Sequence, residues 1–384
     1  MRGTLQLGRF GGVPVGLHYS WLFFFALITW SLATSFPLTF PGVDGPTAWI
    51  AAAVAAILFL FSVLGHELAH AWMARARHVP VRGITLFILG GAAEIERDAD
   101  RPLDELLITA VGPLSSLLFG IGFAVLAAFS GPWPAVRAVT ATMALINISL
   151  AVFNLIPGFP LDGGRILRSI LWGVMHDFVR ASRIAARLGQ LVGWGMIVFG
   201  VAEMVLWDQG IGGLWMAGIG WYLSSMAKAS FDQVLLQQAL GRIPVRQIMR
   251  TNFAWVYAGT RVRDAVQQYF DRTPRPGLPV LRDGRLVGLL TLPQVRNLDP
   301  GHWDITPVDA IMIPAGRLPT IAPGADAAAL LSLMQRNETP EVPVVDGDRL
   351  VGLVTQDDLL QAVRGRPRPA PADSPIATGL TPRR

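Results

Sequence analysis

Residues 61–70 read Phe-Ser-Val-Leu-Gly-His-Glu-Leu-Ala-His, and three of them, His66, Glu67 and His70, belong to types that bind metals or carry protons. On an α-helix, positions i and i+4 share a face, so two imidazoles at this spacing can grip one ion. The Glu67 carboxylate, one residue on from His66, is then within reach of a water bound to that ion. The chain has no cysteine, so disulfides and thiolate metal sites are excluded and a metal must be held by His, Asp or Glu. The motif is short, but it lies inside an apolar run, where ionisable side chains are costly and functional by default. The bland alternative is two helix-packing histidines beside a glutamate that reaches for the interface.

Two histidines and a water leave one protein ligand missing from a tetrahedral catalytic zinc site. The candidate is Asp162, in Asn154-Leu-Ile-Pro157-Gly-Phe-Pro160-Leu161-Asp162-Gly163-Gly164-Arg165. Prolines and glycines here must break a helix, and irregular backbone at membrane depth is tolerated where protein or water surrounds it. An Asp ahead of glycine also often caps a following helix. Beside the His pair, ligation is the preferred reading.

The setting is apolar on a large scale. Of 384 residues 52% are hydrophobic and only 15% charged, against about 25% charged in a typical soluble domain. The deficit falls between Gly16 and Met226; from Ile243 onward the chain reads as a soluble protein. A bilayer span takes about 20 apolar residues. This predicts six spans: 16–36, 49–72, 103–130, 138–156, 188–206 and 211–227. The first is too long for a signal-peptide core and is expected to be retained. Basic residues cluster at Arg2 and Arg9, at Arg75, Arg77 and Arg82, at Arg165, Arg168, Arg180, Arg183 and Arg187, and at Lys228, whereas the loops between hold only Arg137. By the positive-inside rule both termini are cytoplasmic, in a multi-pass protein of the cell membrane.

Together these motifs resemble the site-2 proteases, which are intramembrane zinc metalloproteases. The likeness rests on His66-Glu67-x-x-His70 in an early span and Asn154-x-x-Pro157-x-x-x-Leu161-Asp162-Gly163 in a later one. Ser62-Val-Leu-Gly and Val111-Gly112-Pro113 also look familial, while Phe159 departs from a common proline. The resemblance covers about residues 1–230. It implies that His66, His70 and Asp162 bind one zinc ion, that Glu67 is the general base, and that Asn154 helps to hold the peptide or its oxyanion. It also implies a membrane-spanning protein as substrate, cut during regulated intramembrane proteolysis. Glu67 would take the proton of the attacking water and return it to the leaving amine. A substrate helix must unwind locally to expose its amides. Residues 84–97, too short and too polar at one end to span, suggest by their paired glycines a membrane-dipping hairpin, with a plain connecting loop as the alternative; the resemblance implies that such a hairpin offers an edge strand to the unwound peptide. His18, His78, His176 and His302 lie near span ends or in the soluble part and are not expected to be ligands.

The tail repeats itself. Leu278-Pro-Val-Leu-Arg-Asp-Gly-Arg-Leu-Val-Gly-Leu-Leu-Thr291 matches Val342-Pro-Val-Val-Asp-Gly-Asp-Arg-Leu-Val-Gly-Leu-Val-Thr355, and Val245-Arg-Gln-Ile-Met249 matches Val308-Asp-Ala-Ile-Met312. Each unit predicts a short helix, a strand, an amphipathic helix, a hairpin turning on Asp-Gly and a closing helix. This resembles a tandem pair of CBS domains, a soluble α/β module. The likeness implies ATP, ADP or AMP at Thr355 and Asp358, whose carboxylate would accept from ribose hydroxyls; the first unit has Thr291 but Gln294 at the matching place. A ligand-free dimerising module is the other reading.

The expected organisation is a polytopic α-helical membrane protease domain over 1–230, a linker over 231–242, CBS units over 243–300 and 301–364, and a disordered tail over 365–384 rich in Pro and Arg. Nothing points to nucleic acid. A CBS-regulated channel would share the spans and tail without needing His-Glu-x-x-His, and an inactive scaffold should lack a ligand or Glu67, yet none is missing. Reporter fusions at residues 44 and 208 should report the outside, and those near 80, 175 and 240 the cytoplasm; a cytoplasmic signal at 208 contradicts the last pair of spans.

Overall fold

The computed structural model describes residues 4–363 apart from 88–89, 96–98, 208–209, 271–276 and 338. It divides into two compact units, Met1–Asp232 and Gln233–Arg384. The expected disordered tail lies outside the described residues.

The first unit opens with strands β1 (Thr4–Phe10) and β2 (Val13–His18), followed by helices α1 (Ser20–Thr39) and α2 (Gly45–Ala76). Strands β3 (Val81–Phe87) and β4 (Gly90–Ile95) come next, then α3 (Pro102–Phe129), α4 (Pro134–Asn154), α5 (Asp162–Met175), α6 (Phe178–Leu206) and α7 (Gly210–Leu240). Five of the described helices, α1 to α4 and α6, are long and apolar enough to cross a membrane. Their outward faces carry large apolar side chains such as Leu22, Phe23, Val125, Phe129, Trp194 and Val198. A soluble monomer rarely exposes so much contiguous apolar surface. The expected sixth span falls within α7, which misses that measure because Gly212, Gly213, Gly218, Gly220, Ser224, Ser225 and Lys228 dilute its apolar content. α7 runs on to Leu240, so most of the expected linker is helical.

The first expected span also starts too early, since residues 16–18 belong to β2. That strand joins a four-stranded sheet in the order β1-β2-β3-β4, with β2 and β3 parallel and the other pairs antiparallel. Alternate residues Val13, Val15, Ile84 and Leu86 turn inward and pack against Val63, Leu64 and Leu68 of α2, the two-residue period of a half-buried sheet. The β3–β4 hairpin falls in the segment expected to form one, and β4 is the sheet's edge.

α2 is the most enclosed of the five long helices, and α1 and α6 are the most exposed. Its first half packs through small residues, Ala48, Ala51, Ala52 and Ala55, against α1 and α4, the close backbone approach typical of helices in lipid. α4 stops at Asn154 because Pro157 and Pro160 cannot supply ladder hydrogen bonds; the Phe159–Pro160 peptide is cis. α5 restarts at Asp162 and is tied to α3 by a buried ion pair, with Arg168 Nε donating to Glu105 Oε1 at 2.8 Å and both side chains at most 5% exposed. The Arg168 guanidinium also stacks over Phe159 and Phe178.

In the second unit, strands β5 (Val256–Tyr257), β6 (Gly277–Arg282), β7 (Arg285–Thr291), β8 (Ile313–Pro314), β9 (Glu341–Asp346) and β10 (Arg349–Thr355) make one sheet in the order β5-β6-β7-β10-β9, with β8 on β7. The first hairpin turns on Asp283-Gly284, both at positive φ (52° and 76°), as a two-residue turn matching the strand twist requires. In the second repeat the tip is Gly347-Asp348, one residue later than expected. The two repeats also interleave. Val245 and Ile248, which open the first, lie in one core with Leu330, Met334, Val342 and Leu359 of the second. Val308, which opens the second, lies in the other core with Val262, Leu278 and Leu290. The boundary expected at residue 300 therefore cuts the chain but not the packing.

Candidate active site

His66 and His70 lie one turn apart on the innermost helix, both buried. Their Nε2 atoms are 3.1 Å apart, and Asp162 Oδ2 lies 3.1 Å from the first and 3.3 Å from the second. Three donors bound to one tetrahedral zinc at about 2.0–2.1 Å must stand about 3.3 Å from one another. The triangle meets that requirement. Among the described residues these are the only three His, Asp or Glu side chains that gather in this way; His18, His78, His176 and His302 join no such group.

Asp162 does not cap α5. Leu161 holds the cap position, no side-chain cap bond forms, and the Asp162 carboxylate turns to the imidazoles. Two close backbone approaches fix this turn. A Cβ at Gly163 would overlap the carbonyls of Leu155 and Ile156, and one at Gly164 would overlap Gly158 and Phe159.

α3 supplies none of the three donors, yet it lies against them. His70 Nδ1 bonds the Ile108 carbonyl at 2.7 Å, and His66 Nδ1 bonds Ser116 Oγ at 2.9 Å. Between those residues, a Cβ on Gly112 would overlap His70 Nε2 and stand 2.8 Å from His66 Nε2. The space a metal needs is thus kept open by a missing side chain. The sequence signal for this was a stripe of small residues, Gly112 and Ser116, at four-residue spacing in a long apolar helix. The Ile108 contribution is a backbone oxygen and leaves no signal at all.

Glu67, one residue past His66, is half-buried, and β4 passes over it: a Cβ on Gly91 would stand 2.9 Å from its carboxyl carbon. Asn154 ends α4 with its amide donating to the Leu150 carbonyl at 3.1 Å. It is in the chain's turn toward Asp162, but its amide bonds its own helix.

Residues 54–142 and 133–196 match the model of peptidase family M50, and residues 245–299 and 308–365 match that of the CBS domain. Over 368 residues, 94% of this chain and 93% of the relative, the chain is 36% identical to the Mycobacterium tuberculosis protein named "Putative zinc metalloprotease Rip3". The chain belongs to peptidase family M50. It is also 26% identical to a zinc metalloprotease of Methanocaldococcus jannaschii, with 94% of this chain and 97% of that protein covered. The solved site-2 protease from the same organism is 28% identical, spanning 59% of this chain and 95% of that one at a TM-score of 0.41. Family membership makes this chain a membrane zinc metalloendopeptidase with a tandem CBS pair.

In the CBS pair, Thr355 and Asp358 are together but engaged. Asp358 Oδ2 accepts from the Thr355 amide at 3.0 Å and its hydroxyl at 2.8 Å, and both carboxylate oxygens accept from Arg250 Nε at 3.0 Å. In the first repeat Gln294 and Thr291 form a capping box. The Arg250 contact joins positions far apart in sequence and follows from the interleaved packing.

Gly112→Val should abolish zinc binding in the purified protein, measured by elemental analysis, as should His66→Ala, His70→Ala and Asp162→Ala. Wild-type zinc content in Asp162→Ala would remove the third donor from the site.

Proposed function

We propose that this protein hydrolyses peptide bonds in the transmembrane segments of membrane-tethered proteins, with His66, His70 and Asp162 holding one zinc ion and Glu67 moving the proton. The observation that carries this reading is the donor triangle of 3.1, 3.1 and 3.3 Å at the centre of an apolar helix bundle. Zinc, when bound there, supplies Lewis acidity toward water and the scissile carbonyl. The remaining work falls to the chain. Glu67 accepts a proton from the attacking water and delivers it to the departing amine, so that water and peptide yield one carboxylic acid and one amine, which exchange a proton to become carboxylate and ammonium. The outer edge of β4, which has no strand partner among the described residues and passes over Glu67, suits backbone pairing with an unwound segment. Asn154, freed from Leu150 by a side-chain rotation, would donate its amide to the peptide or its oxyanion. The distribution of basic residues supports a cell-membrane protein with both termini cytoplasmic.

The CBS pair is read as the control element, through ATP, ADP or AMP at Thr355 and Asp358, or through homodimer formation. Because Arg250 occupies the carboxylate, a ribose must displace it, and the Arg250 side chain is 45% exposed and has room to leave. Effector coupling of the usual size, about 1–3 kcal/mol, would shift cleavage by roughly 5–150-fold.

Glu67→Gln should retain zinc and lose turnover of a reconstituted transmembrane substrate; full proteolysis by that variant overturns its assignment as the base. By calorimetry on the whole protein in detergent, Asp358→Ala should abolish nucleotide binding and Arg250→Ala should strengthen it. If the wild type and both variants bind no adenine nucleotide at millimolar concentration, nucleotide control fails and the dimerisation reading stands.

A further inference from the structure

The imidazoles of a metal site must be fixed in two respects, the rotation of each ring and the nitrogen that carries its proton. A buried ring N–H without an acceptor costs free energy, so whatever faces Nδ1 decides both. For His70 the answer is fixed by chemistry alone. A carbonyl oxygen only accepts, so the Ile108 bond at 2.7 Å puts a proton on Nδ1, and in the neutral ring that a metal requires the Nε2 lone pair then faces Asp162 and His66. For His66 the facing group is Ser116 Oγ at 2.9 Å, fully buried. A hydroxyl both donates and accepts, so it can take the Nδ1 proton's bond while Nε2 turns to the same point in space.

Ile108, Gly112 and Ser116 stand at i, i+4 and i+8, on one face of α3. His66 and His70 stand at i and i+4 on α2. Each α3 position meets its need on that face: an acceptor for one ring, an empty space for the ion, an acceptor for the other ring. None of the three is a ligand, and two of them would pass as ordinary small residues at a helix contact.

We infer that Ser116 is a positioning residue of the metal site, its hydroxyl holding His66 in the rotation and tautomer that present Nε2 to zinc, and that α3 is the template on which both imidazoles are set. The inference rests on the metal site proposed above. Loss of a group that orients a ligating histidine typically costs about 10–100-fold in metal affinity.

The test uses the full-length protein in detergent, with zinc affinity measured by competition against a chromophoric chelator and the visible absorption of the cobalt(II)-loaded form recorded beside it. Ser116→Ala should bind zinc about 10–100-fold more weakly and shift the cobalt bands, while its metal-free thermal unfolding midpoint stays at the wild-type value. Ser116→Thr, which keeps the hydroxyl, should recover the affinity and the spectrum. Wild-type affinity with an unchanged cobalt spectrum in Ser116→Ala overturns the inference. So does a Ser116→Thr variant as weak as Ser116→Ala with an unchanged metal-free midpoint, since a packing role and not the hydroxyl would then explain the loss. If His66→Ala binds zinc like the wild type, the metal site itself is wrong, and the failure lies there instead of at Ser116.

Discussion

Three polar donor atoms from two separate helices meet within 3.3 Å inside an apolar bundle, and most of the first unit's architecture serves that meeting. Ionisable groups taken out of water are stable only when paired, hydrogen-bonded or bound to a metal. The helix that carries the His pair is accordingly the most enclosed of the long helices. The helix that would have passed the site is broken after Asn154, so that Asp162 can turn inward from a fresh helix start. Gly163 and Gly164 let that start press against the broken end, an approach any side chain would block.

The same constraint explains the ion pair below the site. Arg168 lies two turns into the helix that begins with Asp162, and it is bound to Glu105 on α3, one turn before Ile108. One face of α3 therefore runs from the anchor of the third donor's helix, through the acceptor for His70 and the gap at Gly112, to the acceptor for His66. A buried pair of this kind contributes little net stability, but removing one partner alone costs about 3–5 kcal/mol. Its value is to hold two helices in one arrangement. Tolerances at such a site are small, because a donor displaced by about 1 Å no longer fits zinc's bond lengths.

The gathering of His66, His70 and Asp162 was legible in the sequence because it rests on side-chain type and spacing: two histidines one turn apart beside Glu67, and Asp162 in a run too rich in Pro and Gly to stay helical. The long helices were legible for a similar reason, since lipid demands apolar surface over a fixed length. What stayed hidden depends on tertiary contact. Strands β1 and β2 are short and gain their order from pairing, β1 with β2 and β2 with β3, so the apolar residues of β2 read as the start of a span. The support from α3 includes a backbone carbonyl, which no residue type announces. The repeat in the tail was visible as a repeat, yet its two halves exchange their opening segments. That exchange brings Arg250 onto Asp358 and fills a place the sequence alone had left open for a ligand. In α7 the apolar run expected over 211–227 ends early, whereas the helix continues to Leu240, through most of the residues 231–242 expected as a linker.

The atoms around the metal decide whether the proposed site is the true one. X-ray absorption at the zinc edge of the purified protein measures that directly. Two imidazole nitrogens and two oxygens at about 2.0–2.1 Å, with no sulfur, are the predicted shell. A shell without imidazole scattering, or with a single imidazole, would contradict the proposed site.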